Sequence, residues 1–166
     1  MVLTRAVLDV ASLDAAVEVL KGVPRASGFH HTLGCVGDPR LLSIEATVQR
    51  CSVVEVSRLS GHANHLIHDG CGNEEQLVTA SSRDRQTRLG ELLPELSGVS
   101  ELNLLQVLFD QASKGLPIYR DDPMDPDDEN TLATALFVIR EAGVEFEVRQ
   151  QGELRFKQFM PQVKVQ

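Results

Sequence analysis

The side chains best suited to ligand or nucleophile chemistry are five histidines and three cysteines, and all eight lie between positions 30 and 71. They are His30, His31, Cys35, Cys51, His62, His65, His68 and Cys71. Imidazole and thiolate are the ligands zinc prefers, and a thiolate is also a nucleophile. The densest stretch is Gly61-His62-Ala63-Asn64-His65-Leu66-Ile67-His68-Asp69-Gly70-Cys71, in which His62, His65, His68 and Cys71 recur every third residue. In a strand that step alternates faces, and in a helix it drifts round the axis, so the four side chains do not converge on one ion. No Cys-x-x-Cys pair supplements them. A His/Cys metal-binding protein built on residues 62–71 therefore stands as an alternative rather than the leading reading. The ordinary fate of His30, His31 and His68 is that of polar strand residues satisfied by backbone or water. Asn64 is different, because its amide is a neutral, geometrically fixed donor that can stabilise an oxyanion where a titrating histidine is unreliable.

The elements that must position these residues are legible in the periodicity. Leu13, Ala16, Val17 and Leu20 follow the i, i+3, i+4, i+7 rule behind Ser12 as cap, with Gly22 and Pro24 as stops. A shorter periodic piece, Leu3 to Val10, is helical but has no start signal, which suggests a missing upstream segment. From Ser27 to about Ile67 the pattern is that of strands. Gly37-Asp38-Pro39 turns into Leu42, Ile44 and Ala46, which alternate with Ser43, Glu45 and Thr47. Cys51 to Val56 is the next strand, and Leu59-Ser60-Gly61 leads into another over His62–Ile67.

Helices return with Ser81 or Ser82 as cap, limited by Pro94, and again behind Ser100, ended by Gly115 and Pro117. Asp121 to Glu129 carries six acids, two prolines and no base, which predicts an acidic surface loop. It lacks the Asp-x-Asp-x-Asp-Gly spacing of a calcium loop. Leu132 to Ile139 is a nearly continuous apolar run, as for a strand covered on both faces. Val144, Phe146 and Val148 then alternate with Glu145, Glu147 and Arg149, and Gln150-Gln151-Gly152 turns the chain into Leu154 and Phe156. The order of helices, antiparallel strands, helices and antiparallel strands predicts layered α+β in one domain over residues 1–166.

Composition excludes several function classes. The 166 residues carry 16 Lys and Arg against 24 Asp and Glu, a formal net charge of −8, and only 4% are aromatic. Such a chain is poorly equipped to neutralise phosphates, to stack on unpaired bases or to approach an anionic membrane. No run nears the ~18 apolar residues of a membrane helix, and no signal peptide follows Met1. Three cysteines do not form a disulfide framework, so a reduced, cytoplasmic setting is expected.

Several pieces in order resemble the acyl-coenzyme A:6-aminopenicillanic-acid acyltransferase family of cysteine N-terminal-nucleophile hydrolases. They are Arg5–Val10 with Ser12-Leu13-Asp14-Ala15-Ala16, Arg25-Ala26-Ser27-Gly28, Leu42-Ser43-Ile44-Glu45-Ala46-Thr47, His62-Ala63-Asn64-His65-Leu66, Ser81-Ser82-Arg83-Asp84-Arg85 with Arg88-Leu89, and Asn130-Thr131-Leu132-Ala133-Thr134. The resemblance implies a four-layer αββα sandwich with antiparallel sheets. It also implies a cysteine freed at a chain terminus by self-cleavage, whose thiolate attacks an amide or thioester to form an acyl-enzyme. The oxyanion is then held by a backbone N–H and an Asn side chain, and the His-x-Asn-His match places that side chain at Asn64. Glu45, His62 and His65 are expected to line the acyl or amine pocket, and Arg83 and Arg85 to orient a substrate carboxylate. No cofactor is implied.

The nucleophile of such enzymes lies upstream of these motifs, and Val2 behind Met1 offers none. Cys35, Cys51 and Cys71 sit in strand or loop context. The expectation is therefore the C-terminal portion of an autoproteolytic acyltransferase or amide hydrolase, silent alone. Its partners would be a small-molecule acyl-amide or acyl-thioester substrate and the missing N-terminal portion or a second copy. A noncatalytic interaction domain is a further alternative, since half a layered fold leaves apolar surface uncovered.

Overall fold

The computed structural model describes residues 2–22, 25–72, 74–112, 116–126 and 128–162. Pro24, Gly115 and Asp127, assigned above to helix stops and the acidic loop, lie outside them. The chain divides into two compact units, residues 1–77 and 78–166. Each is α+β around its own three-stranded antiparallel sheet.

In the first unit, helices α1 (Val2–Leu8) and α2 (Leu13–Gly22) precede strands β1 (Phe29–Cys35), β2 (Asp38–Ala46) and β3 (Cys51–Glu55). Ser12 Oγ accepts the Ala15 amide at 3.2 Å, the expected cap of α2. Leu13, Ala16, Val17 and Leu20 are all buried, and they pack with Val7 of α1 against Leu42 and Ile44 of β2. At about 1.5–3 kcal/mol per buried large aliphatic side chain, this seam holds the helices on one face of the sheet. Arg25 closes its end by donating to the carbonyls of Leu20, Thr47 and Arg50.

The sheet order is β1-β2-β3, with His30 opposite Glu45 and Glu45 opposite Ser52. The predicted alternation along β2 is present, but its polar face is not solvated. Ser43, Glu45 and Thr47 are 4%, 0% and 3% exposed, because the chain from Gly61 to Cys71 folds over Ser43 and Glu45 and the Glu74 side chain meets Thr47. That segment is not the expected strand over His62–Ile67. Residues 59–68 have no regular structure and end in a 3-10 turn at Asp69–Cys71. Contacts of its side chains and of its Ile67 and His68 amides with β2 hold it, not a ladder.

The second unit holds α3 (Ala80–Glu95), α4 (Glu101–Leu108) and strands β4 (Thr134–Arg140), β5 (Gly143–Gln150) and β6 (Glu153–Pro161) in the order β4-β5-β6. The cap of α3 is Thr79, whose hydroxyl accepts the Ser82 amide, so Ser81 and Ser82 lie inside the helix and are buried. Pro94 sits in its last turn rather than ending it. Ser100 caps α4 as expected. The β5–β6 turn places Gln151 at φ 51° and Gly152 at φ 79°, the two left-handed residues of a tight hairpin. At Gly143, φ is 149° and a Cβ would run into the Met160 carbonyl oxygen, so only glycine fits.

Strand β4 is not covered on both faces. Phe137 is 59% and Ile139 40% exposed, on the sheet face they share with Phe146 of β5 and Phe156 of β6; the Phe146 ring stacks on Phe137 and meets Phe156 edge-on. On the other face Lys157 bridges to Glu145 at 2.9 Å, an acid–base pair across the hairpin. The acidic loop is mostly exposed, but Asp125 turns inward onto Arg120. Among the described residues no helix is long and apolar enough to cross a membrane.

Candidate functional site

A cavity of about 730 Å³ opens in the first unit between β1, the β2–β3 turn and the 62–66 segment. His30, His62, Asn64, His65, Glu74 and Glu75 are among its polar lining, and Phe29 and Leu66 among its apolar lining. Asn64 is exposed in this wall and His65 half-buried beside it.

Glu45 lies beneath that wall and does not line the cavity. Its fully buried carboxylate accepts from His62 Nε2 at 2.7 Å, from the Ile67 amide at 2.5 Å and from the His68 amide at 3.0 Å. Burial opposes its ionisation. The Ile67 amide, the His62 ring and the His68 amide together outweigh that and hold its pKa below the ordinary carboxylate value. The other ring nitrogen of His62, Nδ1, lies 2.7 Å from the Ala63 carbonyl oxygen. Both ring nitrogens thus face oxygen atoms, which fixes the orientation of the ring.

His30 stacks on His62 with centroids 3.6 Å apart and planes 9° from parallel. A second polar chain runs from His30 Nε2 to Ser43 Oγ at 2.9 Å, on to His68 Nε2 at 3.0 Å, and from His68 Nδ1 to Ser52 Oγ at 3.2 Å. His30 and His68, expected to be ordinary satisfied histidines, are indeed satisfied, but by one another through Ser43. The strand pairing is the only sequence signal for this, since it sets Ser43 and Ser52 on the face that carries Glu45. Among the described residues no three His, Cys, Asp or Glu side chains are arranged to hold a metal ion.

Burial, with the His62 and His68 imidazoles beside it, lowers the His30 pKa from 6.5 to about 4. The unfolded chain therefore takes up a proton at His30 that the folded chain refuses between those values, and stability falls as pH drops through that window. Allowing for solvent screening of the half-buried ring, the loss is about 2 kcal/mol. Glu45 adds its own loss only below its ordinary 4.5. Urea unfolding of His30→Gln, followed by circular dichroism at pH 7 and pH 5, should show a distinctly flatter pH dependence than the parent chain. Identical slopes would refute the assignment.

The cysteines do not face the cavity. Cys71 is fully buried and donates to the Glu45 carbonyl at 3.8 Å, and burial pushes both the Cys51 and Cys71 thiols up. Cys35 is half-buried against the core of the first unit. At Cys51 burial outweighs the nearby Arg25 and Lys21 charges, so neither Cys51 nor Cys71 has the setting of a reactive thiolate. Arg83 and Arg85 belong to α3 in the second unit. Arg83 is exposed, and Arg85 Nε donates to the Ser81 carbonyl at 3.2 Å.

A family model described as acyl-coenzyme A:6-aminopenicillanic acid acyl-transferase matches residues 1–153. The chain belongs to this family. The match takes in both units, including the 62–66 segment of the cavity wall and α3. No curated protein and no solved structure matches the chain. Membership in the acyltransferase family makes small molecules the substrate class and acyl transfer the chemistry that the cavity must be weighed against.

Proposed function

We propose that this chain forms the oxyanion-stabilising wall of a cysteine-dependent N-terminal-nucleophile acyltransferase or amide hydrolase. Its two antiparallel sheets would be parts of a four-layer αββα sandwich. The observation that carries the reading is the place of Asn64, a neutral amide donor in the wall of a polar cavity, on a segment anchored from below by a buried carboxylate. A thiolate attacks the carbonyl carbon of an acyl-amide or acyl-thioester. The carbonyl oxygen takes up negative charge, and Asn64 Nδ2 donates to it. The C–N or C–S bond then breaks, the leaving amine or thiol takes the proton that the terminal α-amine drew from the nucleophile's thiol, and water or an acceptor amine attacks the acyl-enzyme, giving up a proton as the thiol is restored. His62 and His65 shape the substrate wall.

None of Cys35, Cys51 and Cys71 is among the described residues that line the cavity, and in this reading the nucleophile is the terminal cysteine of a separate segment, freed by self-cleavage. The 166-residue chain alone is then silent. The test is release of amine or free thiol from acyl-amide and acyl-thioester panels, with and without a nucleophile-bearing segment supplied as a fusion or in trans. Turnover only in the complemented sample is expected. Turnover by the chain alone, lost on Cys35→Ala, Cys51→Ala or Cys71→Ala, would refute it. The exposed aromatic face of β4, β5 and β6 supports a second reading as a noncatalytic interaction domain, which silence of every complemented sample would favour.

A further inference from the structure

We propose that Glu45 is the positioning residue of the acyl-transfer site, its buried carboxylate holding the 62–68 segment on both sides of Asn64 and so setting that amide in the cavity wall. The role rests on the acyl-transfer reading of Asn64, while the holding itself does not.

Asn64 stands on irregular backbone, which by itself does not fix a donor to the fraction of an ångström that oxyanion stabilisation requires. Two residues before it, the His62 ring meets Glu45 Oε1 at 2.7 Å. Three and four residues after it, the Ile67 and His68 amides donate to Oε1 and Oε2 at 2.5 and 3.0 Å. One carboxylate therefore grips the segment from both flanks. Glu45 is in turn fixed in the central strand of its sheet, between His30 of β1 and Ser52 of β3. From the outer side the Gln76 side chain both accepts the Leu66 amide at 2.8 Å and donates to the Leu66 carbonyl at 3.0 Å. The segment bearing Asn64 is thus pinned to the sheet by Glu45 and to its own return by Gln76. Packing alone would be served as well by an apolar side chain at position 45. An apolar side chain could not accept two backbone amides and an imidazole.

The test is Glu45→Gln in the intact chain, which keeps the volume and removes the charge and one acceptor. Amide hydrogen exchange of Ile67 and His68 should accelerate about tenfold to a hundredfold, with the amides of α2 unchanged. Unchanged exchange at Ile67 and His68 would overturn the proposal. If this variant does not fold, the parent chain decides: Ile67 and His68 should be protected like β-sheet amides despite lying outside any strand, and free exchange there would overturn it equally. In the complemented, turnover-competent protein, Glu45→Gln should lower kcat with KM little changed, and Glu45→Gln with Asn64→Ala should be no slower than Asn64→Ala alone. Additive losses would show a merely structural role. Asn64→Ala should leave Ile67 and His68 exchange untouched, so failure of the acyl-transfer reading is distinguishable from failure of the clamp.

Discussion

Asn64→Ala is expected to lower kcat for acyl transfer by about 10²–10³-fold in the complemented protein, the usual cost of removing one oxyanion donor. The loss should fall on kcat rather than KM, because the donor meets negative charge that exists only as the tetrahedral species forms. Asn64→Asp should be at least as slow despite its closer shape, since a carboxylate facing a developing oxyanion repels it. The cavity also explains why an amide suits this position. His30, stacked on His62, has a pKa of about 4, and the His62 ring is committed to Glu45 and the Ala63 carbonyl. Initial rates against acyl-amide concentration separate the two parameters. A loss of less than tenfold would remove Asn64 from the mechanism and with it the main support for acyl transfer at this cavity.

Arg120→Ala is expected to destabilise the second unit by about 3–5 kcal/mol, the range found when one partner of a buried ion pair is removed. Arg120 and Asp125 are 5% and 7% exposed. The guanidinium spans both carboxylate oxygens and also donates to Ser81 Oγ at 3.0 Å and Glu129 Oε2 at 3.1 Å. Its removal takes the paired guanidinium from a buried carboxylate, whereas Arg120→Met combined with Asp125→Leu removes both charges and should recover most of the loss. The measurement is direct because the chain has one Tyr and no Trp. Tyr119 is buried beside Arg120, with its ring 4.9 Å from that of Phe109, so tyrosine fluorescence during urea unfolding reports this unit. A loss below 1 kcal/mol would mean that water reaches Asp125 in place of the arginine.

These two residues illustrate what a sequence conceals. Asp125 stands in a run of six acids, and composition alone makes it one more solvated charge. Its base lies just outside the run, and only the loop's path shows the pair. Glu45 was legible as a residue on the polar face of a strand, and alternation gave that face correctly. Alternation does not say what covers a face, and the covering segment here has no period from which its path can be read. For the same reason, the 62–67 stretch suggested a strand by following two others, although it contains none of the pairing that makes one. Thr79 capping α3 in place of Ser81 or Ser82 is a smaller case, since three hydroxyl residues within four positions each satisfy the same local rule.

By itself the sequence determined the types of the helices and strands other than the 62–67 stretch, the helix seam of Leu13, Ala16, Val17 and Leu20, the hairpin turn at Gly152 and the order of motifs that matches the acyltransferase family. All of these rest on local periodicity, turn chemistry or the order of short segments along the chain. It also singled out Asn64, because the residue type stands alone among histidines. Only the tertiary structure decided that Glu45 is sealed beneath the cavity, that His30, Ser43, His68 and Ser52 form one polar chain, and that no cysteine lines the cavity. Those arrangements depend on contacts between residues 13 to 26 positions apart, and the hydrogen-bond partner of a buried polar group is set by which segment folds over it, a choice that residue type and spacing do not encode.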